Sequence, residues 1–549
     1  MKNQKIKIKL VFYRTLFSQS AASLTMGSMA AFLRQHGFNC DLCLLERQGL
    51  HNAEKILQGS EEKIIFAKPN FKDHILLLPL LAELKKQKKV NQIFLCGPYA
   101  CLNYISMMNK LPWLDGILFG DTEETALDLA KLVVANKKIT FRNCPGGVWR
   151  KSNDKCYFNF VPRRRKFRLN SLPFPARDIE IMEKGSYANI ESSRGCNGEC
   201  SFCHVPMVSN ISGCTSIDYR SPKLVADEME MIYKTLKKKF FIFNDSCFWR
   251  NKFDNVRILE FCNEIKRRKL PIKFYIYLRS HPEMPDEILT ALRRAGLARI
   301  FLGIENVSTR SQEVLNKKIA INAYESAKKK FDKYDINIHI GYIVAEPYSK
   351  LSAIVDNLKY LRTIGKLFRL GTILEPIRVI PGSRFHKRLI EDGLLKSDAD
   401  FNDITYGYKY KYRESDRFMG GIKDIFDKIS DEAYEFEYFC TTAFLLKSLL
   451  CQINKAKYVN IAKDFLTLKK MTETAMDDLL DFFLNYINLI SAKKDKTTAF
   501  NNLKENFLLD FKKNHVAIKV KYSDIINKIK LCHAEEVVNC IYTGLDRIS

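Results

Sequence analysis

The chain has 549 residues, of which 46% are hydrophobic, 12% aromatic and 28% charged, and this ordinary globular composition excludes a disordered or collagen-like chain. The net charge is +27, nearly all of it in the first 395 residues, and because the basic residues are dispersed we interpret them as solvated faces and expect no nucleic-acid partner. No apolar run is long enough to cross a bilayer and no cleavage site follows the basic N-terminus, so we expect a cytoplasmic protein without a membrane partner.

In residues 1–160, short apolar runs alternate with helical stretches. The runs lie at 6–13, 40–46, 63–68, 93–96 and 116–120. This alternation predicts a doubly wound, five-stranded parallel sheet of flavodoxin (Rossmann-like) type, which binds ligands at the carboxyl ends of its strands. We take residues 1–160 as the first domain and residues 161–184 as a linker.

Three cysteines, Cys196, Cys200 and Cys203, follow one another with the spacing C-x3-C-x2-C. Glycines at 195 and 198 allow the segment to curl, so that the three thiolates can converge on one metal centre. Three ligands leave one coordination position open, as a catalytic centre requires. The alternative is a structural zinc site that adds His204 as the fourth ligand.

The segment 196–203, CNGECSFC, resembles the cluster loop of radical S-adenosylmethionine (radical SAM) enzymes. The resemblance implies that Cys196, Cys200 and Cys203 hold three irons of a [4Fe–4S] cluster, and that the fourth iron binds SAM. One electron from such a cluster cleaves SAM to a 5′-deoxyadenosyl radical, which abstracts hydrogen from a substrate. Phe202 is then expected to border the adenine of SAM.

Further apolar runs follow the cysteines, at 239–244, 273–279, 299–305, 337–343 and 372–380, with helical stretches between them. Together with one strand before the cysteines they predict six parallel strands joined by right-handed crossovers. The resemblance implies a partial (β/α)6 TIM-type barrel over residues 185–395, with the active site at the carboxyl ends of the strands.

Polar residues at the ends of these strands are the candidates for binding SAM, which presents an ammonium group, a carboxylate and ribose hydroxyls. In chain order they are Asn244, Asp245, Ser246, Arg279 and Glu305. Glu305 lies in a G-x-E motif that resembles the family's fourth-strand motif and is expected to accept from the ribose, whereas Arg279 is expected to contact the carboxylate or the ribose. The fifth-strand motif departs from the family pattern at Ala345 and Glu346.

The first 160 residues also resemble the cobalamin-binding domain of one large class of radical SAM enzymes. Residues 29–37 and the linker segment 172–178 match family motifs, and the resemblance implies that cobalamin contacts Gly97, Pro98, Gly120 and Asp121. Two family glycines are replaced, by Cys96 and Thr122. The D-x-H-x-x-G loop that supplies a lower histidine ligand to cobalt is absent, so we expect no side chain at that face.

Residues 396–549 contain amphipathic stripes that predict a mainly helical C-terminal cap domain. The aromatic stretch 406–412, YGYKYKY, fits either a strand or the lining of a substrate mouth. The scattered cysteines of this region are too widely spaced to predict a second cluster.

The resemblance implies a cobalamin-dependent methyl transfer to an unactivated carbon or phosphorus of a small molecule or peptide, with electrons from a flavodoxin- or ferredoxin-type donor. One alternative is a radical SAM cyclisation or rearrangement in which the cobalamin domain is vestigial or a bystander. Two further alternatives are a tRNA methylthiotransferase, which the near-neutral helical tail disfavours, and a non-enzymatic zinc-binding module. The sequence identifies neither the substrate nor a catalytic residue beyond the cofactor contacts.

Overall fold

The structure is a computed structural model with two compact units. It describes residues 6–13, 23–45, 52–59, 62–70, 73–150, 156–157, 161–163, 169–178, 187–279, 284–317, 322–374, 377–395, 407–453, 455–492, 497–531 and 538. The first unit contains residues 1–248, 378–388 and 397–407, and the second contains residues 249–377, 389–396 and 408–549.

The first unit begins with a seven-stranded sheet in the order β2-β1-β3-β4-β5-β6-β7. Its strands are β1 (Ile6–Tyr13), β2 (Cys40–Leu45), β3 (Glu62–Lys68), β4 (Gln92–Leu95), β5 (Gly116–Leu118), β6 (Gly147–Arg150) and β7 (Cys156–Tyr157). The first five strands are parallel and have the predicted flavodoxin-type order. The two antiparallel strands at the β5 edge were not predicted, because β6 has four residues and β7 has two.

Helices cover both faces of this sheet. They are α1 (Leu24–Gln35), α2 (Asn52–Leu57), α3 (His74–Lys86), α4 (Pro98–Leu102), α5 (Tyr104–Lys110) and α6 (Glu123–Val134). One buried cluster joins the sheet to α1 and α6, and a second joins the opposite face to α2, α3, α4 and α5. Two apolar cores on one sheet are the signature of the doubly wound architecture.

The rest of the first unit holds the start of the predicted barrel. Its elements are β8 (Tyr187–Ile190), β9 (Ser193–Arg194), α7 (His204–Ser212), β10 (Asp218–Tyr219), α8 (Pro222–Leu236) and β11 (Phe240–Phe243). The strands β8 and β11 pair in parallel, and β9 forms a short antiparallel pair with β10. A 3-10 turn at Leu169–Ser171 lies in the preceding linker.

The second unit contains three parallel strands, β12 (Lys273–Arg279), β13 (Leu297–Glu305) and β14 (Asn337–Tyr342), in adjacent positions. A 3-10 turn at Lys252–Asp254 precedes them. The helices around and after these strands are α9 (Asn255–Arg267), α10 (Asp286–Ala295), α11 (Thr309–Val314), α12 (Ala323–Asp332), α13 (Leu351–Thr363), α14 (Leu370–Leu374) and α15 (Arg384–Glu391), whose first five residues belong to the first unit. All strands predicted between the cysteines and residue 343 are confirmed.

The sixth strand predicted for the barrel, at 372–380, is wrong. The structure has the helix α14 at the start of this range, and residues 377–380 belong to no strand. Within the helix the buried residues Leu370 and Ile373 are three positions apart, as on one helix face. The amide of Gly371 donates to the carboxylate of Glu437 at 2.9 Å, which stabilises the start of this helix.

The C-terminal region is helical, as predicted. It consists of α16 (Arg413–Phe426), α17 (Ser430–Ile453), α18 (Lys455–Ser491) and α19 (Thr497–Leu531). Stacked rings join these helices, for example Phe482 and Phe507, whose centroids are 3.9 Å apart. None of the helices in the described ranges has both the length and the hydropathy required to span a membrane.

Candidate active site

The three cysteines of the predicted cluster loop lie between β9 and α7. The three residues are partly exposed and form no disulfide among the described residues. The amide of Gly198 donates to the sulfur of Cys196 at 3.3 Å, and the amide of Cys203 donates to the carbonyl of Cys200 at 3.2 Å. The segment is therefore a curled loop, as its glycines predict.

A cavity of about 460 Å³ opens beside this loop. Cys196 and Cys200 line it, together with Gly382, Ser383 and the start of α15. Three cysteines on a curled loop beside an open cavity are the ligand types of a [4Fe–4S] cluster with one iron left for SAM.

The zinc alternative requires His204 to join the three thiols. His204 is exposed at the first position of α7. Over the residues that the structure describes, no group of three or more His, Cys, Asp or Glu side chains, the three cysteines included, has the arrangement of a metal site.

Residues 192–195 lead into the three cysteines, and we call them the stem of the cluster loop. The stem is stabilised by Asp245, which follows β11 and is 1% exposed. Its carboxylate accepts from the amide of Ser192 at 2.7 Å and from the hydroxyls of Ser192 and Ser193 at 2.5 and 2.7 Å. The carboxylate of Asp245 therefore positions the residues that lead into the cysteines. A contact from Asp245 to SAM remains a prediction.

The next residue of the stem, Arg194, connects the cluster loop to the N-terminal sheet. Its guanidinium lies 2.9 Å from Glu123, 3.2 Å from Asp121 and 2.8 Å from Glu191. Burial alone would lower the pKa of Arg194, but the three carboxylates raise it, so the group stays charged. Burial raises the pKa of Glu191, and Arg194 opposes that shift.

The predicted cobalamin residues Gly120 and Asp121 lie at this junction. Gly120 has a φ of +63°, and a Cβ there would lie 2.5 Å from the Cβ of Ser212, the last residue of α7. In the same helix Val208 and Ile211 pack on the second core of the N-terminal sheet. The helix that follows the cluster loop is thus docked on the predicted cobalamin domain, and Gly120 is the residue that permits the close approach.

The other predicted cobalamin residues, Gly97 and Pro98, follow β4. Gly97 has a φ of +88°, and a Cβ there would lie 3.0 Å from the Cγ of Lys68 at the end of β3. The ammonium group of Lys68 donates to the hydroxyl of Ser23 at 3.2 Å, and burial lowers its pKa. Lys68 and the Gly97 turn therefore lie together at the carboxyl edge of the sheet, and the contact of Gly97 and Pro98 with cobalamin remains a prediction.

The two described histidines of this domain differ in position: His36 lies at the opposite edge of the sheet, whereas His74 begins α3 after the carboxyl end of β3. The Nδ1 atom of His36 lies 2.8 Å from the carbonyl oxygen of Phe32, at the end of α1 that faces the opposite edge of the sheet. His74 is fully buried, and its ring packs on Tyr99 with centroids 4.7 Å apart. His51 lies outside the described residues.

The remaining candidates in the first unit have exposed positions. Asn244 and Ser246 are exposed on either side of the buried Asp245, and the amide of Asn244 donates to the carbonyl of Ile190 at 2.8 Å. Phe202 is half-buried in the turn between Cys200 and Cys203. The side chains of these three residues are available to a ligand at the end of β11 and beside the loop.

In the second unit, Arg279 and Glu305 lie at the same edge, because Arg279 pairs with Gly303, two residues before Glu305. Glu305 has a φ of +64°, an uncommon conformation for a residue with a side chain, and the strand pairing is irregular there. Its carboxylate is ion-paired with the buried Lys317. Strain at a strand end is typical of functional sites, and the contact with SAM remains a prediction.

Glu346, one of the two residues that depart from the family's fifth-strand motif, has a structural role. Glu346 is fully buried and accepts from the hydroxyls of Ser311 and Ser349, both at 3.0 Å, and from the amide of Tyr348 at 2.7 Å. This carboxylate holds the turn after β14. The nearby aromatic stretch contributes Tyr408, which forms an isolated antiparallel bridge with Leu395, so both interpretations of that stretch remain open.

Sequence reasoning missed Arg194 and Lys317 as residues of the site. Arg194 lies two residues before Cys196, and the acidic residues Asp121, Glu123 and Glu124 follow a predicted ligand-binding glycine, so both halves of the ion pair were visible. The pairing of Arg194 with these carboxylates was not visible, since Arg194 and Asp121 are about seventy residues apart in the chain. Arg163 was interpreted as part of a solvated basic run, but it is buried and paired with Glu124 and Asp128.

Comparison with known proteins gives a consistent result. Residues 190–356 match the model of the Radical SAM superfamily. The chain is 27% identical over 285 residues to the anaerobic magnesium-protoporphyrin IX monomethyl ester cyclase of Rubrivivax gelatinosus, covering 48% of this chain and 49% of that protein. It is 23% identical over 319 residues to an uncharacterized methyltransferase of Pyrococcus horikoshii, and this match covers 57% of this chain and 66% of that protein. The chain thus spans about half the length of the cyclase.

Two solved structures share the fold. The cobalamin-dependent SAM radical enzyme OxsB, with aqua-cobalamin and SAM bound, superposes with a TM-score of 0.69 at 16% identity, covering 98% of this chain and 84% of OxsB. The radical SAM methyltransferase TsrM from Kitasatospora setae, with cobalamin and a [4Fe–4S] cluster bound, superposes with a TM-score of 0.55 at 14% identity. The match covers 71% of this chain and 79% of TsrM. At these identities the likeness concerns the fold alone.

Proposed function

Since residues 190–356 make this chain a member of the radical SAM superfamily, we propose that it is a cobalamin-dependent enzyme that transfers a methyl group to an unactivated carbon or phosphorus of a small molecule or peptide. The proposed domains are a cobalamin-binding domain at 1–160, a linker at 161–184, the radical SAM barrel at 185–395 and a helical cap at 396–549. The proposed electron donor is a flavodoxin- or ferredoxin-type protein.

The observation that carries this proposal is the junction between the cluster loop and the N-terminal sheet. Arg194 is two residues before Cys196, and it pairs with Asp121 and Glu123 directly after the Gly120 turn. A chain that only cleaves SAM has no need to hold its cluster loop against a second ligand-binding edge. The junction supports a reaction in which two cofactors act on one substrate.

The cluster with bound SAM supplies the 5′-deoxyadenosyl radical, and cobalamin supplies the methyl group. The residues of this chain provide the environment. Cys196, Cys200 and Cys203 provide the cluster thiolates, while Asp245 and Arg194 fix the stem of their loop. The glycine turn at Gly97 lets the backbone approach a ligand without a Cβ in the way.

In the second unit we assign Glu305 as the acceptor from the ribose of SAM; its carboxylate is ion-paired with Lys317. We assign Arg279, at the same strand edge, as a contact to the carboxylate or the ribose of SAM. These roles follow from charge and from the position of both residues at strand ends.

The test is anaerobic reconstitution with iron, sulfide and cobalamin, followed by mass spectrometry of the SAM products. The wild type should bind about four irons per chain and release 5′-deoxyadenosine. Changing Cys196, Cys200 or Cys203 to Ala should abolish both, whereas Cys214→Ser, a matched control eleven residues after Cys203, should retain them. Stoichiometric zinc without iron would instead support the zinc-binding alternative.

A radical cyclisation or rearrangement is the second candidate, and the similarity to the anaerobic cyclase favours it. The two reactions differ in their SAM products. Methyl transfer consumes two SAM molecules and releases S-adenosylhomocysteine and 5′-deoxyadenosine in equal amounts, whereas cyclisation or rearrangement releases no S-adenosylhomocysteine. The ratio of these two products therefore separates the candidates.

A further inference from the structure

The N-terminal sheet has its topological switch point between β1 and β3. The strand order β2-β1-β3-β4-β5 places these two strands side by side. The helix after β1, α1, packs on one face of the sheet, and the helix after β3, α3, packs on the other. The two connections therefore leave the carboxyl edge in opposite directions, and the crevice between them is where doubly wound folds bind ligands.

Lys68, the last residue of β3, lies beside this crevice. Its ammonium group donates to the hydroxyl oxygen of Ser23 at 3.2 Å, and Ser23 is the N-cap of α1. One hydrogen bond therefore connects the two sides of the switch point. Gly97 follows β4, the other neighbour of β3, and a Cβ on Gly97 would lie 3.0 Å from the Cγ of Lys68. Lys68 is thus adjacent to a predicted cobalamin contact.

The ammonium group of Lys68 has more hydrogen-bond donors than the described residues use. An ammonium has three N–H donors, and within the described ranges Lys68 donates one hydrogen bond, to Ser23. No described carboxylate forms an ion pair with it, since Glu123, at the same edge, pairs with Arg194. Burial raises the pKa of the neighbouring Cys96 thiol to about 12, so this group is neutral. A partly buried cation with two spare donors and no described carboxylate favours an anionic ligand.

We propose that Lys68 and Ser23 bind a phosphate group at the switch point, and that this phosphate is the phosphodiester in the nucleotide tail of cobalamin. The inference rests on the proposed function, which places cobalamin at this edge. The Ser23 oxygen accepts from Lys68 and from the amide of Met26, which leaves its hydroxyl hydrogen for the ligand. Two ammonium hydrogens and one hydroxyl hydrogen suit the acceptor oxygens of a phosphate. A phosphorylated substrate would present the same group, and the experiment distinguishes the two sources.

The test compares aquacobalamin with cobinamide, which has the same corrin ring but lacks the nucleotide tail and its phosphodiester. Equilibrium dialysis of the full chain, with its cluster reconstituted and without cobalamin, gives both dissociation constants. Lys68→Met keeps the length of the side chain and removes its charge. It should weaken the binding of aquacobalamin about tenfold or more and leave the binding of cobinamide unchanged. Lys68→Arg keeps a cation and should retain most of the affinity for aquacobalamin.

The matched control is Lys63→Met, which makes the same change on the same strand at its amino end. Lys63 is also buried, and its ammonium group donates to the carbonyl of Gly59 at 2.7 Å, at the edge opposite to the switch point. This change should alter neither affinity. Far-UV circular dichroism and the affinity for cobinamide report whether each variant is folded.

The source of the phosphate is tested by phosphorus-31 NMR of inorganic phosphate in the presence of the cobalamin-loaded protein. If the nucleotide tail fills the site, the wild type and Lys68→Met will broaden the phosphate signal equally. Greater broadening by the wild type, with equal aquacobalamin affinities, would retain the phosphate site and overturn the tail as its ligand, in favour of a phosphorylated substrate.

Failure of this inference and failure of the proposed function give different results. If Lys68→Met weakens aquacobalamin and cobinamide equally, or changes neither affinity nor the phosphate signal, the phosphate site is overturned and the proposed function stands. A wild type that binds neither corrinoid overturns the cobalamin-dependent function itself.

Discussion

The guanidinium of Arg194 lies 2.9 Å from the carboxylate of Glu123, so one ion pair connects the residue two positions before Cys196 to the start of α6, the helix after β5 of the N-terminal sheet. The hydroxyl of Ser28 donates to the same carboxylate at 2.6 Å. Both charged side chains are largely buried, with exposures of 16% and 4%. The loop that would hold the cluster is therefore fixed to the edge that would hold cobalamin.

Replacement of Arg194 by Ala should destabilise the first unit and reduce iron loading. The change leaves Glu123, Asp121 and Glu191 together without their shared cation, and breaking a buried pair costs about 3–5 kcal/mol. Thermal unfolding and iron per chain measure the two effects. Arg267→Ala, which removes a 64% exposed partner of Glu264, is the control and should cost less than about 1 kcal/mol. Full iron loading in Arg194→Ala would show that the loop does not depend on this pair.

Replacement of Gly120 by Ala should displace the end of α7. The new Cβ would lie 2.5 Å from the Cβ of Ser212, and overpacking typically costs about 1–3 kcal/mol in addition to the left-handed backbone penalty. Gly365→Ala is a matched control, since Gly365 has a similar φ of +66° with nothing within 4 Å of the new atom. A greater loss of thermal stability for Gly120→Ala than for Gly365→Ala would be the cost of the close contact with Ser212. Equal losses would show that this contact has no effect on stability.

Replacement of Glu305 by Gln should weaken SAM binding about tenfold or more. The shape is kept, but a charged acceptor is lost, and hydrogen bonds to charged groups contribute about 1.5–3 kcal/mol. Isothermal titration with SAM measures the change in the reconstituted protein. If Glu305 serves only its ion pair with Lys317, the affinity for SAM will be unchanged while the melting temperature falls.

The cobalamin-loaded protein should show a base-off cob(II)alamin EPR signal without nitrogen splitting from a lower ligand. His36 lies at the far edge of the sheet, and the His74 ring, although at the carboxyl edge, is fully buried against Tyr99, so we expect neither to bind cobalt. His74→Ala should leave the spectrum unchanged. A nitrogen-split signal that disappears in His74→Ala would show that the domain rearranges to supply this ligand.

The sequence by itself determined the local features of this protein. Alternating apolar runs identified the five parallel strands of the N-terminal sheet, and the spacing of Cys196, Cys200 and Cys203 identified the cluster loop. The prediction failed at 372–380, where a short apolar run fits a strand or a buried helix equally well. There the tertiary contact between Gly371 and Glu437 favours the helix.

Only the tertiary structure decided which charges meet. Arg194 and Glu123, Asp245 and Ser192, and Glu305 and Lys317 are separated along the chain, and each was visible only as a single polar residue. Sequence periodicity reports which residues are buried, because burial follows the repeat of the helix or strand. It does not report the partner of a buried charge, which depends on how separate elements pack. The anchoring of the cluster loop to the N-terminal sheet is a property of that packing.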